Sequence, residues 1–436
     1  MDFTIITQGE RVRDIRKRLK LKQEDLSGDI ITRNLISMIE TDKASLTPKA
    51  AEVIHDNLKS YIKERNITAN INIDEIFITE EDQAKQIYEN FLKYIEEVGV
   101  EAESLLSEMI SIINKYELNY MKVYIYGNLA RAFRVIRDIN TACSYYQMAI
   151  EFVKMSSINC DYYGKLMTGL THCQNRLGKF EDGIRVCDNI VIAIDKDYLK
   201  KIKYNKILML KRSEKYSECL SEIQKFENDF QLGIDDVGLN INIKTIKANC
   251  YRAQGYFNKA LKIYKETLED IKECEEYLSN KILIMSNIME VTTLLEDDYD
   301  EYLKQLVIEI ENNRVKFEEN YFAAEIYKWI AHSFENKKDE DSMKQAYEYT
   351  LKSLDLAVKF KNMDIIDYDL NKLIEYITQV EECTIEVVQK HILSLLQAKM
   401  IKSDSKVVMK LINFHMLNDN KEEAKKVVDF CKDEVS

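Results

Sequence analysis

One proline and eleven glycines in 436 residues leave this chain almost without the residues that close tight turns. Average usage of about 7% Gly and 5% Pro would supply roughly fifty of them. β-Sandwiches and barrels need such residues at nearly every strand end, so an all-β fold is excluded. Hydrophobic residues at 46% and charged ones at 31% suit a chain that buries a core and keeps charge spread along it, not a disordered one. The expectation is a long all-α protein.

No apolar run approaches the ~18 residues of a membrane span. The opening Met1-Asp2-Phe3-Thr4 has no basic stretch followed by an apolar one. A cytoplasmic protein with no membrane partner is therefore expected. Nine cysteines stand singly without a CxxC pair, which predicts reduced core residues and neither a zinc site nor a redox motif. There is no G-x-x-x-x-G-K-[ST], G-x-G-x-x-G or H-E-x-x-H string, and the five histidines lie far apart. No catalytic residue, metal or cofactor is expected, and the chain reads as a non-enzyme.

Charge is divided unevenly. Residues 1–68 carry a net +2 and the remainder −15. A large acidic body repels nucleic acid, so any DNA contact falls to the N-terminal segment. There, residues 8–20 set Val12, Ile15 and Leu19 on one helical stripe, with Arg11, Arg13, Arg16, Lys17 and Arg18 on other faces. Gln23–Leu26 begins a second short helix. Thr32 can cap a third over Arg33–Glu40, with Leu35, Ile36 and Ile39 inward. Thr47-Pro48 has the cap and first-turn signature of a fourth helix running to Arg65. Residues 66–78 turn β-branched and Asn-rich and read as a partly packed linker.

The string Gly9, Val12-Arg13, Arg16, Leu21, Gln23-Glu24-Asp25-Leu26-Ser27, Ile36-Ser37-Met38-Ile39-Glu40 and Thr47-Pro48 resembles the helix-turn-helix of the phage-repressor (Xre) class. The resemblance puts the third helix in the major groove and assigns DNA contact to Thr32, Arg33, Asn34 and Ser37, with Gln23 on the phosphate backbone. Arg33 could reach guanine and Asn34 adenine. By the same resemblance Arg13 and Glu40 form a structural ion pair. The chain departs from the pattern in a Gly28-Asp29-Ile30-Ile31 turn about one residue short, and in Asp42 where a glycine commonly stands.

Beyond residue 80 a repeat emerges. Small or medium residues recur twelve apart, as Ala130 and Ala142, Thr171 and Gly183, Ile207 and Cys219, Ala248 and Ala260, Ala331 and Met343, and Ile412 and Ala424. The second members step by 41, 36, 41, 83 and 81 residues, the last two spanning degenerate units near 302 and 384. Backward extension lands on Ala102. The stretch resembles a tetratricopeptide array, most clearly at Ala248–Tyr264 and Leu177–Gly183, with helices about one turn longer than usual. It implies a right-handed α-solenoid of about nine helical hairpins whose curved inner face binds peptides.

Counting from those anchors, the inner face holds Tyr124, Arg131, Arg134, Lys165, Thr168, His172, Asn175, Tyr204, Lys211, Asn242, Thr245, Asn249, Arg252 and Asn287. All but Tyr124, Lys165 and Thr168 are the candidate peptide-binding residues. Asn can serve both backbone groups of an extended peptide, and Arg can clamp a carboxylate. The Tyr and Phe stripes read as core.

An Xre-like domain (1–66), a linker (67–80) and a tetratricopeptide-like domain (81–436) together resemble the RRNPP quorum-sensing regulators. That resemblance implies a homodimeric transcription factor for a double-stranded operator, modulated by a short signalling peptide. The competing reading is a repeat scaffold that captures a regulator and does not bind DNA.

Overall fold

The computed structural model describes residues 1–28, 30–65, 72–155, 158–233, 236–272, 274–295 and 298–433. Asp29 of the short turn and residues 66–71 of the linker lie outside them. The described residues are helical with no strand, in two compact units, Met1–Glu214 and Lys215–Ser436.

Unit 1 opens with α1 (Gln8–Arg18), α2 (Arg33–Ile39) and α3 (Pro48–Glu64). The caps on α2 and α3 are those the sequence announces, and α1 has one it did not. Thr7 and Glu10 form a reciprocal capping box on α1, Thr32 accepts from Leu35 N–H, and Thr47 caps α3 with Pro48 in its first turn. Val12, Ile15, Leu19, Leu26, Ile36, Ile54 and Leu58 are buried in one core, which also takes in Ile76. Gln23–Leu26, read from the sequence as the start of a second short helix, is a single 3-10 turn. Four residues held between an Asp25-to-Lys22 backbone bond and the following Gly28-to-Ile31 turn are too few for an α-helical ladder.

The hairpins α4 (Glu80–Val98) with α5 (Leu106–Lys115), α6 (Lys122–Val135) with α7 (Ile139–Glu151), and α8 (Cys160–Arg176) with α9 (Phe180–Asp188) come next, and α10 (Lys196–Arg212) ends the unit. Unit 2 opens on α11 (Tyr216–Asp229). Its hairpins are α12 (Val237–Ala253) with α13 (Phe257–Asp270) and α14 (Leu278–Leu294) with α15 (Asp300–Asn312). After the short α16 (Arg314–Phe317) come α17 (Ala323–Glu335) with α18 (Glu340–Phe360), α19 (Met363–Tyr376) with α20 (Ile385–Gln397), and α21 (Lys406–Leu417) with α22 (Lys421–Asp433). α15 and α20 occupy the two degenerate positions. Ala102, Ala130, Ala142, Thr171, Ala248 and Ala260 are all fully buried, as small residues at helix crossings must be. Six cysteines are buried as expected, but Cys160 and Cys274 are exposed.

The turns show how hairpins close with so little glycine. Arg137, Gly178, Glu214, Gly255, Lys338 and Asp419 all have φ between +58° and +79°. Each sits five residues before the second member of a repeat pair. The 6→1 bonds of a Schellman motif accompany Arg137, Gly178, Gly255 and Asp419, as in Asp138 N–H to Phe133 O (3.0 Å), Lys179 N–H to Gln174 O (2.9 Å) and Asn420 N–H to His415 O (2.8 Å). Left-handed backbone costs a side-chain-bearing residue about 1 kcal/mol. Lys338→Gly, at an exposed site, is therefore expected to stabilise unit 2 by up to about 1 kcal/mol in urea denaturation. An unchanged midpoint would mean that the lysine is not strained there.

Candidate functional site

At the N-terminal domain, α2 presents Thr32, Arg33 and Asn34 to solvent from its first turn, with Ser37 half-exposed one turn on. Ile36 and Ile39 hold the opposite face in the core. Arg33 meets Glu24 at 3.3 Å, with both side chains more than 60% exposed. Such a surface pair contributes little, so a phosphate or base can readily displace the glutamate. Thr32 spends its hydroxyl oxygen on the α2 cap.

The structural ion pair is not the expected one. Arg16, not Arg13, grips Glu40 with Nη2 to Oε2 at 2.8 Å and a second bond from Nε, while its Nη1 donates to Leu21 O at 2.8 Å. Helical phase explains this: Arg16 lies one residue from Ile15 and four from Val12, on the inward side, whereas Arg13 is exposed. Gln23 Nε2 also donates to Glu40 Oε2, at 2.9 Å. The Gln23 side chain is therefore engaged within the domain. Hydrogen bonds from Arg16 and Gln23 hold the Glu40 carboxyl below its ordinary range against the opposing effect of burial, which is the largest single influence on it.

Two positions set the domain's geometry. A Cβ on Gly9 would lie 1.9 Å from the Ile39 carbonyl oxygen, so α1 and the end of α2 approach closely enough to require glycine. Asp42, where the family favours glycine, has φ +55°. Aspartate is among the residues that visit this region at modest cost, so the departure leaves the backbone turn intact.

In unit 1 a cleft of about 280 Å³ opens between α6, α7, α8 and α10. Of the sequence candidates, Arg131 and Arg134 line it, together with Lys165 and Thr168 from the same inner face. Tyr146, Tyr162, Tyr198, Lys201 and Asn128 complete the wall. Lys165 pairs with Asp161 at 2.7 Å, whereas among the described residues no ion pair engages Arg131 or Arg134. The Thr168 hydroxyl is buried with no hydrogen-bond partner. His172, next along α8, is held neutral by burial and by the charges of Arg134 and Arg176. Burial raises the Tyr146 phenol, with Arg134 and Arg131 opposing. The result is a cationic, tyrosine-walled recess with donors to spare, suited to an anionic or carboxylate-bearing group.

The remaining unit 1 candidates lie elsewhere. Asn175 accepts from Arg212 through its backbone oxygen (2.9 Å) and Oδ1 (3.2 Å). Tyr204 and Lys211 are half-exposed on α10, outside the cleft wall. Those of unit 2 are occupied by each other and by neighbours. Asn242 Oδ1 accepts from Asn280 at 3.2 Å, Asn249 Oδ1 from the Tyr264 hydroxyl, and Thr245 returns its proton to Ile241 O at 2.8 Å. Arg252 pairs with Glu290 and reaches Asn287 Oδ1 at 3.5 Å. A ligand there would first have to break an ion pair.

In sequence the tyrosines of the cleft are indistinguishable from core. The available signal is a set of mid-helix glycines. A Cβ at Gly127 would fall 2.3 Å from the Tyr162 hydroxyl, one at Gly169 2.3 Å from the Tyr146 ring, and one at Gly164 2.6 Å from the Tyr198 ring. Glycine inside a helix costs about 1 kcal/mol relative to alanine, and here each one admits an aromatic wall residue. Among the described residues no helix is long and apolar enough to cross a membrane, and no group of three or more His, Cys, Asp or Glu is placed to hold a metal ion.

Residues 9–77 match the family model described as a helix-turn-helix domain. No curated protein matches the chain. Among solved structures it is similar to Bacillus thuringiensis PlcR in complex with the peptide PapR7 and DNA, at 11% identity and TM-score 0.32, covering 71% of this chain and 95% of that one. It is also similar to the apo form of RapI, at 10% identity and TM-score 0.35, covering 91% and 94%. A third is the tetratricopeptide-sensor signal-transduction ATPase PH0952 of Pyrococcus horikoshii, at 12% identity and TM-score 0.49, covering 92% of this chain and 54% of that one. The chain thus carries a segment, residues 9–77, that matches the helix-turn-helix domain model, followed from Glu80 by a succession of helical hairpins.

Proposed function

We propose that this chain is a DNA-binding transcriptional regulator of the RRNPP type, whose repeat domain binds a short signalling peptide that modulates operator binding. The observation that carries the reading is the first turn of α2. It presents Thr32, Arg33 and Asn34 to solvent on a domain whose core and caps are fully formed. In this reading residues 1–66 bind DNA, 67–80 link, and 81–436 bind peptide and form the homodimer, in the cytoplasm. Arg33 and Asn34 read base edges, Ser37 and Thr32 support them, and Gln23 acts by fixing Glu40 as well as by facing phosphate.

The cleft supports the peptide half. Arg131 and Arg134 offer guanidinium donors that no ion pair engages among the described residues, Thr168 an unused hydroxyl, and the tyrosines an apolar wall. At about 280 Å³ it accommodates a side chain or a peptide terminus, with the rest of the peptide lying along the inner face. His172, Asn175, Tyr204 and Lys211 extend that face. Asn242, Thr245, Asn249, Arg252 and Asn287 enter only if their internal bonds exchange.

The test is fluorescence anisotropy of the full chain with duplex DNA from upstream of its own gene, beside a scrambled duplex, across salt. Specific binding whose log K falls steeply with log salt is expected. No preference at any salt, with or without candidate peptides, would leave the scaffold reading standing. Arg33→Ala is expected to cost about 1–3 kcal/mol of discrimination at a single base pair without lowering the melting temperature. Discrimination that survives the substitution would remove α2 from the interface.

A further inference from the structure

The helix-turn-helix is fastened to the hairpins of unit 1 by residues far from it in sequence. Phe3 lies with its ring 6.4 Å from that of Phe91 on α4, and Phe3 and Ile5 pack against the core of the first hairpins. One residue further, both backbone groups of Ile6 are taken by a single side chain. Ile6 N–H donates to Gln83 Oε1 at 3.2 Å, and Gln83 Nε2 donates to Ile6 O at 2.8 Å. A primary amide can serve an N–H and a C=O at once, so Gln83 pairs with the segment as a strand would. Gln83 is 8% exposed and also donates to Thr79 O at 3.3 Å, at the start of α4.

Thr7, the cap of α1, follows directly. The chain thus passes from a repeat-core residue to the first turn of α1 with no slack. On the other side Gln8 Nε2 donates to Ile76 O at 3.4 Å, and Ile76 is fully buried in the helix-turn-helix core. α4 packs against α6, whose residues line the cleft. Tyr88 of α4 is buried in the apolar cluster against which Tyr124 and Tyr162 pack. The Tyr124 ring lies 4.6 Å from that of Tyr162, which lines the cleft.

We propose that Gln83, backed by Phe3 on Phe91, is the positioning joint through which the tyrosine-lined cleft acts on the helix-turn-helix. A group that enters the cleft displaces Tyr162, and Tyr124 and Tyr88 pass the displacement to α4. α4 carries Gln83, and Ile6 and the first turn of α1 follow it or let go. The clasp is a two-state element, made or broken, whose freed groups water can satisfy in the broken state. The proposal rests on the functional reading above for what lies at its two ends.

The test needs no ligand. Hydrogen exchange is measured on the full chain carrying Gln83→Ala, Tyr124→Leu or both. Gln83→Ala is expected to lower protection of amides 5–9 about tenfold, with residues 54–58 of α3 and the middle of α4 unchanged. Tyr124→Leu is expected to alter protection of amides 5–9 in the wild-type background and to have no further effect beside Gln83→Ala. Gln83→Glu, which accepts from Ile6 but cannot donate back, should fall between wild type and alanine. Additive effects of the two substitutions, or protection indifferent to Gln83, would overturn the joint. Affinity for a short random duplex in the same variants separates the two ideas. Coupled exchange without any DNA binding keeps the joint and removes the DNA-binding reading.

Discussion

Asp369→Asn is expected to stabilise unit 2 by about 2 kcal/mol or more at pH 8 and to change little at pH 4. Asp369 sits on α19 with 1% exposure, and neither carboxyl oxygen has a hydrogen-bond partner. The neighbouring Ser353 hydroxyl gives its one proton to Ala324 O at 2.9 Å. Burial pushes the carboxyl up to about 7, with the nearby Ser353 hydroxyl and then the Lys328 charge opposing only in part. The unfolded chain ionises near its ordinary value of 3.8. Below that value both states carry the proton and the group has no effect. Between about pH 4 and pH 7 the unfolded state ionises first, and stability falls by about 1.4 kcal/mol per pH unit, levelling off above 7. Urea denaturation of both proteins from pH 4 to pH 8 reads this directly. The wild-type curve should slope downward with pH relative to the asparagine variant. Parallel curves would mean that the carboxylate has a partner in solution.

Gly9→Ala is expected to cost about 3 kcal/mol in the helix-turn-helix core and to abolish DNA binding there. Its Cβ would meet a backbone atom, the Ile39 carbonyl oxygen, at 1.9 Å, and backbone cannot swing aside as a side chain can. α1 must then retreat from α2, opening the contacts of Val12 and Ile15 with Ile36. The control is Gly28→Ala, where the nearest atom is Asn57 Nδ2 at 3.7 Å. Hydrogen exchange should report lost protection in α1–α3 for the first variant and no change for the second, with α12–α22 unaffected in both. Equal behaviour of the two would mean that α1 and α2 are not in close contact.

Much of this molecule was legible because its signals are local. Thr32 and Thr47 each cap the helix that follows, since a cap needs only a hydroxyl and an amide three residues on. The twelve-residue pairing of small or medium residues located the hairpins, since close helix crossings favour compact side chains. What sequence could not supply was partner choice. Arg13 and Arg16 are equivalent in composition, and only the phase of α1 against Glu40 selects Arg16. Arg252 and Arg131 look alike on their repeats, yet one faces Glu290 and the other an open cleft.

The sequence by itself determined an all-helical chain, a basic four-segment unit at the front and a hairpin period of about forty residues. It could do so because helix periodicity, capping and glycine scarcity act within a few residues of chain. The tertiary structure alone decided which polar groups remain unsatisfied. Asp369 is orphaned by packing from α18, Thr168 has no partner for its hydroxyl, Arg131 meets no carboxylate among the described residues, and Gln83 is committed to Ile6 across 77 positions. Those outcomes depend on which side chains meet in space, and a one-dimensional pattern carries no record of such meetings.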